Sequence, residues 1–80
     1  MLESMRTWTV NDSVSVEQED GISRRIAAMS SRITPGKSMM INVMITDQVK
    51  AASHQDLIAE KLTSFVEEAR TMARENGVPV

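Results

Sequence analysis

Eighty residues make one domain at most, with a thin core, because a chain this short buries only about 60% of the surface it exposes when unfolded. The absence of cysteine excludes disulfides, thiolate nucleophiles and cysteine-ligated metal centres, and it favours a reducing cytoplasm. A net charge of −2 singles out no class of partner, and no apolar run approaches the ~20 residues of a membrane-spanning helix.

Residues 1–5 read as a disordered start or an expression remnant, which leaves residues 6–80 as a single small α+β domain. The segment Thr7-Trp8-Thr9-Val10 alternates and is β-rich, as does Ser13-Val14-Ser15-Val16, with Asn11-Asp12 between them. Residues 7–16 are therefore a hairpin or one continuous strand. Parity favours a three-residue loop or the continuous strand, since both gather Trp8, Val10, Val14 and Val16 on one face. A helix capped at Ser15, with Gln18 completing a capping box, is the third possibility.

Residues 17–20, Glu-Gln-Glu-Asp, suit a helix N-terminus. Ile22, Ile26, Met29 and Ile33 then recur at steps of four, three and four. That stripe predicts a first helix over residues 17–33, ended by Thr34-Pro35-Gly36. The longest apolar run follows, and it predicts a central strand over residues 38–46. Met39, Ile41, Val43 and Ile45 share one face of it, and Met40, Asn42, Met44 and Thr46 share the other. Val49-Lys50-Ala51 suggests a short edge strand over residues 48–52, or a plain connector.

Ser53 reads as an N-cap. Ile58, Leu62, Phe65, Ala69, Met72 and Asn76 step by four and three, which predicts a long amphipathic helix over residues 54–76. Asn76-Gly77 stops it, and Val78 is placed to pack back. Two striped helices and a few short strands satisfy one another as a two-layer α+β sandwich. In it a small, mostly antiparallel sheet carries both helices on the face that holds Ile41, Val43 and Ile45.

Few residues point to chemistry. Residues 31–38, Ser-Arg-Ile-Thr-Pro-Gly-Lys-Ser, approach the phosphate-loop pattern, but a serine stands where the first glycine is needed. The flanking order, helix then strand, also leaves no helix N-terminus facing a phosphate. His54, Ser53 and Asp56 lie within one helix start, whereas a triad needs side chains converging from separate segments. A single histidine without cysteine is a poor metal site, and Glu67/Glu68 and Glu17/Glu19 fall on exposed faces. No catalytic, cofactor or metal residue is assigned, and the chain is read as non-catalytic.

Arg24, Arg25, Arg32 and Lys37 form a stretch without acids and are the candidate nucleic-acid contacts. They would project from the first helix, although no aromatic lies beside them to stack on bases. Met40 and Met44 face away from the helices with Asn42, and flexible thioethers suit a surface that receives a partner. Met40, Asn42 and Met44 are the candidate partner-binding residues.

The order strand, helix, strand pair, helix, with Ile22-Ser-Arg-Arg-Ile26, residues 39–53 and the terminal helix, resembles that of the DinI-like modulators of recombination. Here the first helix is shorter, and the last lacks that family's acidic, tryptophan-containing end. The sequence thus leads to a small, non-catalytic, cytoplasmic interaction or regulatory protein. It would form a homodimer or bind a protein partner through its exposed apolar sheet face. The alternative is a nucleic-acid-associated regulator working through the first helix's arginines.

Overall fold

The computed structural model describes residues 7–80, so the reading of residues 1–5 lies outside them. Three strands come first: β1 (Trp8–Glu17), β2 (Ser23–Thr34) and β3 (Ser38–Ile45). Two helices follow, α1 (Gln48–Ser53) and α2 (Gln55–Glu75). The strands form an antiparallel sheet in the order β1-β2-β3, and the helices pack on one face of it. The α+β class, the antiparallel sheet, the number of helices and the long terminal helix agree with the sequence reading.

The first helix is a different matter. Residues 17–33 do not form one; they make the β1–β2 turn and most of β2, the central strand. The stripe misleads because Ile22 lies in the exposed turn before β2, the step of three from Ile26 to Met29 is absorbed by a β-bulge, and the step of four from Met29 to Ile33 also fits a period of two. The pairing shifts register between Val14 and Ser15, from Ala27 to Arg25, and leaves Ile26 as the extra residue. Ile26 and Ala27 are consequently both buried. From Ala27 onward β2 alternates strictly, with Ala27, Met29, Ser31 and Ile33 inward. Alanine and serine at the intervening positions hide this alternation from a hydrophobicity pattern. The turn is set by Asp20-Gly21: Gly21 has φ +82°, and its N–H donates to the Gln18 carbonyl at 2.9 Å. The strand–strand–strand–helix–helix order also departs from that of the DinI-like modulators.

β1 is one continuous strand, with no turn at Asn11-Asp12. The run over residues 38–46 is a strand as expected, but it lies at the sheet's edge rather than its centre. The short edge strand over residues 48–52 is instead the helix α1, because Asp47 caps it: Oδ1 accepts the Lys50 N–H at 3.0 Å. Ser53 is not an N-cap. Its hydroxyl donates back to the Lys50 carbonyl at 3.1 Å, at the end of α1.

Register sorts the side chains into cross-strand rows. The helix-side rows are Trp8–Ile33–Met39, Val10–Ser31–Ile41, Asp12–Met29–Val43 and Val14–Ala27–Ile45. The rows of the opposite face are Thr9–Arg32–Met40, Asn11–Ser30–Asn42 and Ser13–Ala28–Met44. Phe65 of α2 packs with Val14, Ile26, Ala27 and Met29, and a second cluster joins Ile33, Ala73 and Val78.

The far end of α2 is pinned to the β2–β3 turn. Gly77 (φ +82°) closes the helix, and the Val78 N–H donates to the Ala73 carbonyl at 2.9 Å. The Gly36 N–H donates to the Asn76 carbonyl at 2.9 Å. A side chain on Gly77 would stand 3.6 Å from Gly36 Cα, so these two backbones nearly touch.

Candidate interaction surface

The helix layer does not cover the whole sheet. The small side chains Ala69 and Ala73, both fully buried, seat α2 closely on the sheet, while Val43 and Ile45 of β3 stay 40% and 42% exposed. The expectation that the Ile41/Val43/Ile45 face receives both helices therefore holds only for Ile41, which is half-buried and packs against the core. Between Ile45, Ala51, Ile58 and Leu62 runs an open apolar groove of about 510 Å³.

On the opposite face Met40 and Met44 are 65% and 56% exposed, and Asn42 lies between them. Among the described residues this face carries no helix. Its centre is polar, built from Asn11, Ser13 and Ser30, so the apolar exposure is confined to β3. That strand exposes apolar side chains above and below the sheet, and its outer edge has no neighbour among the described residues.

The two sheet edges differ. On β1, the Asp12 carboxylate lies at the strand's middle and accepts the Ser13 N–H at 2.8 Å, so the edge is charged and partly self-capped. β3 has no proline, no charged residue and no bulge across its eight residues, the devices by which edge strands avoid pairing.

The basic residues sit on β2 and the following turn rather than on a helix, and the bulge decides where two of them go. Arg25 and Arg32 are seven positions apart, an odd step that would place them on opposite faces of a regular strand. The extra residue at Ile26 returns Arg25 to the open face, where it lines a shallow depression with Asn11, Ser30, Asn42 and Met44. Arg24 points to the other side, where its Nε donates to Asp47 Oδ2 at 2.9 Å. Lys37 stands in the β2–β3 turn, with its N–H on the Thr34 carbonyl at 3.0 Å. Among the described residues the ion pairs are Arg24–Asp47 and Arg70–Glu67, and neither Arg25 nor Arg32 takes part.

The Asp47 carboxyl bears the marks of its position. It is held below the usual value of 3.8 by the Lys50 N–H, with Arg24 and Lys50 adding attraction against some loss of hydration. These are the marks of a helix cap. His54, between the helices, bonds the Lys50 carbonyl through Nδ1 at 2.8 Å and so joins α1 to α2. The glycine-containing turn at residues 34–37 links two strands, and its Gly36 N–H is spent on α2. No group of three or more metal-ligating side chains converges among the described residues, and none of their helices is long and apolar enough to cross a membrane.

Family models, curated proteins and solved structures were each compared with the chain, and none matches.

The sequence located Met40, Asn42 and Met44 on one face but gave no hint that Val43 and Ile45, on the other, share their exposure. The missing signal was the sheet order, which depends on reading residues 23–34 as a strand.

Proposed function

We propose that this chain is a small, non-catalytic interaction protein that associates with a second copy of itself through β3. One observation carries the reading: β3 is an unprotected edge strand with Met40 and Met44 exposed on one face and Val43 and Ile45 on the other. A partner laid on the open face alone would bury only the methionines, whereas one at the edge reaches all four.

The magnitude is modest. Fully burying a side chain of this kind is worth ~1.5–3 kcal/mol, so completing the burial of four half-exposed ones contributes about 4 kcal/mol per chain. Two chains give about 8 kcal/mol, similar to the ~4–15 kcal/mol that association costs in lost freedom. Main-chain hydrogen bonds at the edge then tip the balance, and a weak, concentration-dependent dimer is expected. Light scattering on the wild type should give a mass rising with concentration from 8.9 kDa towards twice that value. The double variant Met40→Glu/Met44→Glu should stay at the lower mass. A wild type that remains at 8.9 kDa at millimolar concentration overturns the reading, and so does a variant with unchanged association.

A second reading is favoured by the bulge at Ile26, which places Arg25 and Arg32 on the same open face. Two guanidiniums with no acid partner among the described residues can contact the phosphates of a single-stranded nucleic acid. Filter binding of DNA and RNA that weakens with salt and with Arg25→Ala/Arg32→Ala supports it; retention that ignores both removes it.

A further inference from the structure

Resting on that self-association, we infer that two copies pair β3 with β3 antiparallel about a two-fold axis at Asn42, making one continuous six-stranded sheet. Thr46 turns its N–H inward to the Ile26 carbonyl at 3.0 Å. Main-chain groups alternate along a strand, so Met40, Asn42 and Met44 aim theirs at β2, while Met39, Ile41, Val43 and Ile45 aim theirs outward. These four odd-numbered residues are the free donors and acceptors of the edge.

A two-fold axis normal to the sheet keeps each face on its own side, so an even-numbered residue must meet an even one. Centred on Asn42, the pairing sets Met40 against the partner's Met44 and Asn42 against its own copy, with amides able to bond one another. On the helix side Ile41 meets the partner's Val43, and Met39 meets the partner's Ile45. Every apolar residue opposes an apolar one, and the only polar residue between the methionines opposes itself. The odd-numbered pairs are also those whose main-chain groups face outward, so the hydrogen-bonding pattern permits this alignment, and the side chains choose it over its neighbours. A shift of the axis to Ile41 sets Asn42 against Met40 and leaves Met44 facing Ser38. A shift to Val43 sets Asn42 against Met44 and Met40 against Thr46.

The same axis brings the partner's Met39 level with Ile45, at the mouth of the groove formed with Ile58 and Leu62. A strand of eight residues spans about 27 Å. Its pairing, with the groove mouth covered, buries on the order of 1,000 Å² in total, the low end for specific association.

Because the chain has no cysteine, single cysteines report the register. In this pairing two copies of position 42 face each other as a non-hydrogen-bonded pair, with Cα atoms about 4.5 Å apart, inside disulfide range. Two copies of position 40, or of position 44, stand four residues out of step at about 14 Å, beyond the ~7 Å limit. Under mild oxidation Asn42→Cys should become a disulfide-linked dimer at least ~10-fold faster than Met40→Cys or Met44→Cys. Val43→Pro removes an outward N–H without touching the β2–β3 ladder. It should weaken association at least ~10-fold while leaving the circular dichroism spectrum intact.

A wild type that dimerises while Met40→Cys or Met44→Cys oxidises as fast as Asn42→Cys overturns the register and points to face-to-face stacking. Dimerisation unaffected by a folded Val43→Pro overturns edge pairing. In both cases self-association itself stands. A wild type that stays monomeric defeats self-association and this pairing together, and leaves the edge to a strand from another protein.

Discussion

Replacing Ser31 by alanine should make this protein more stable. Ser31 sits at the middle of β2 under the helix layer, 1% exposed, in a row with Val10 and Ile41. Its hydroxyl is buried without a hydrogen-bond partner among the described residues. A hydroxyl stripped of water and left unpaired costs ~1–3 kcal/mol. Removing it forfeits a few dispersion contacts at ~0.1–0.2 kcal/mol each, so the net gain is about 1 kcal/mol. For 80 residues at ~2.1 cal/mol/K per residue, the unfolding entropy is about 0.17 kcal/mol/K, and Tm should rise by about 6 °C. Thermal melts followed by circular dichroism read the shift, and urea titration should move the midpoint upward at unchanged slope. A Tm lower than wild type by ~3 °C or more refutes the reasoning, because it would mean that the hydroxyl is bonded and stabilising.

Asp47→Asn tests the cap and its ion pair. The Asp47 carboxyl titrates below its usual 3.8, so its contribution is complete above that value and fades as pH falls through the lower folded value. The stability gap between wild type and variant should be constant above pH ~5 and close in stronger acid; a gap that widens on acidification contradicts the sign. Gly77→Ala should lower stability by ~1–2 kcal/mol, the cost of forcing an L side chain into the left-handed region. The added methyl meets Gly36 only at an ordinary 3.6 Å. Gly77→Asn, which tolerates that region better, should recover part of the loss, as chemical denaturation would show.

Much of the fold was legible, and the misreadings have local causes. α2 was clear because fifteen or more residues of one period leave little ambiguity, and its Asn-Gly-Val stop closes as expected. The strand character of β1 was legible from its alternating valines, but its continuity was not, since a hairpin and a capped helix fitted the same residues. β2 was not legible. A bulge converts one even step into an odd one, and the four-three-four spacing that results is what a helix would show. Asp20-Gly21 is a strong turn signal, but the acidic run of residues 17–20 that contains Asp20 equally suits a helix N-terminus. α1 was missed because it is shorter than two turns, and its existence depends on one side-chain cap, Asp47 to Lys50. For the candidate surface, parity alone placed Met40, Asn42 and Met44 together. Val43 and Ile45 looked like core because nothing in a single strand tells whether a helix will reach over it.

The sequence by itself determined composition-level exclusions, the long terminal helix, the strand character of residues 38–45 and the division of that strand into two faces. These depend on neighbours within a few residues, where side-chain period and turn chemistry act directly. Only the tertiary structure decided that β2 occupies the centre, that β3 is an edge, and that α2 leaves β3 half uncovered. Those outcomes depend on which strands pair and where a helix seats, and both are set by contacts between residues far apart in the chain. The apolar run over residues 38–45 looks the same whether it is buried between neighbours or open at an edge. Its place in the sheet is what leaves Val43 and Ile45, read as core, at the surface alongside Met40 and Met44.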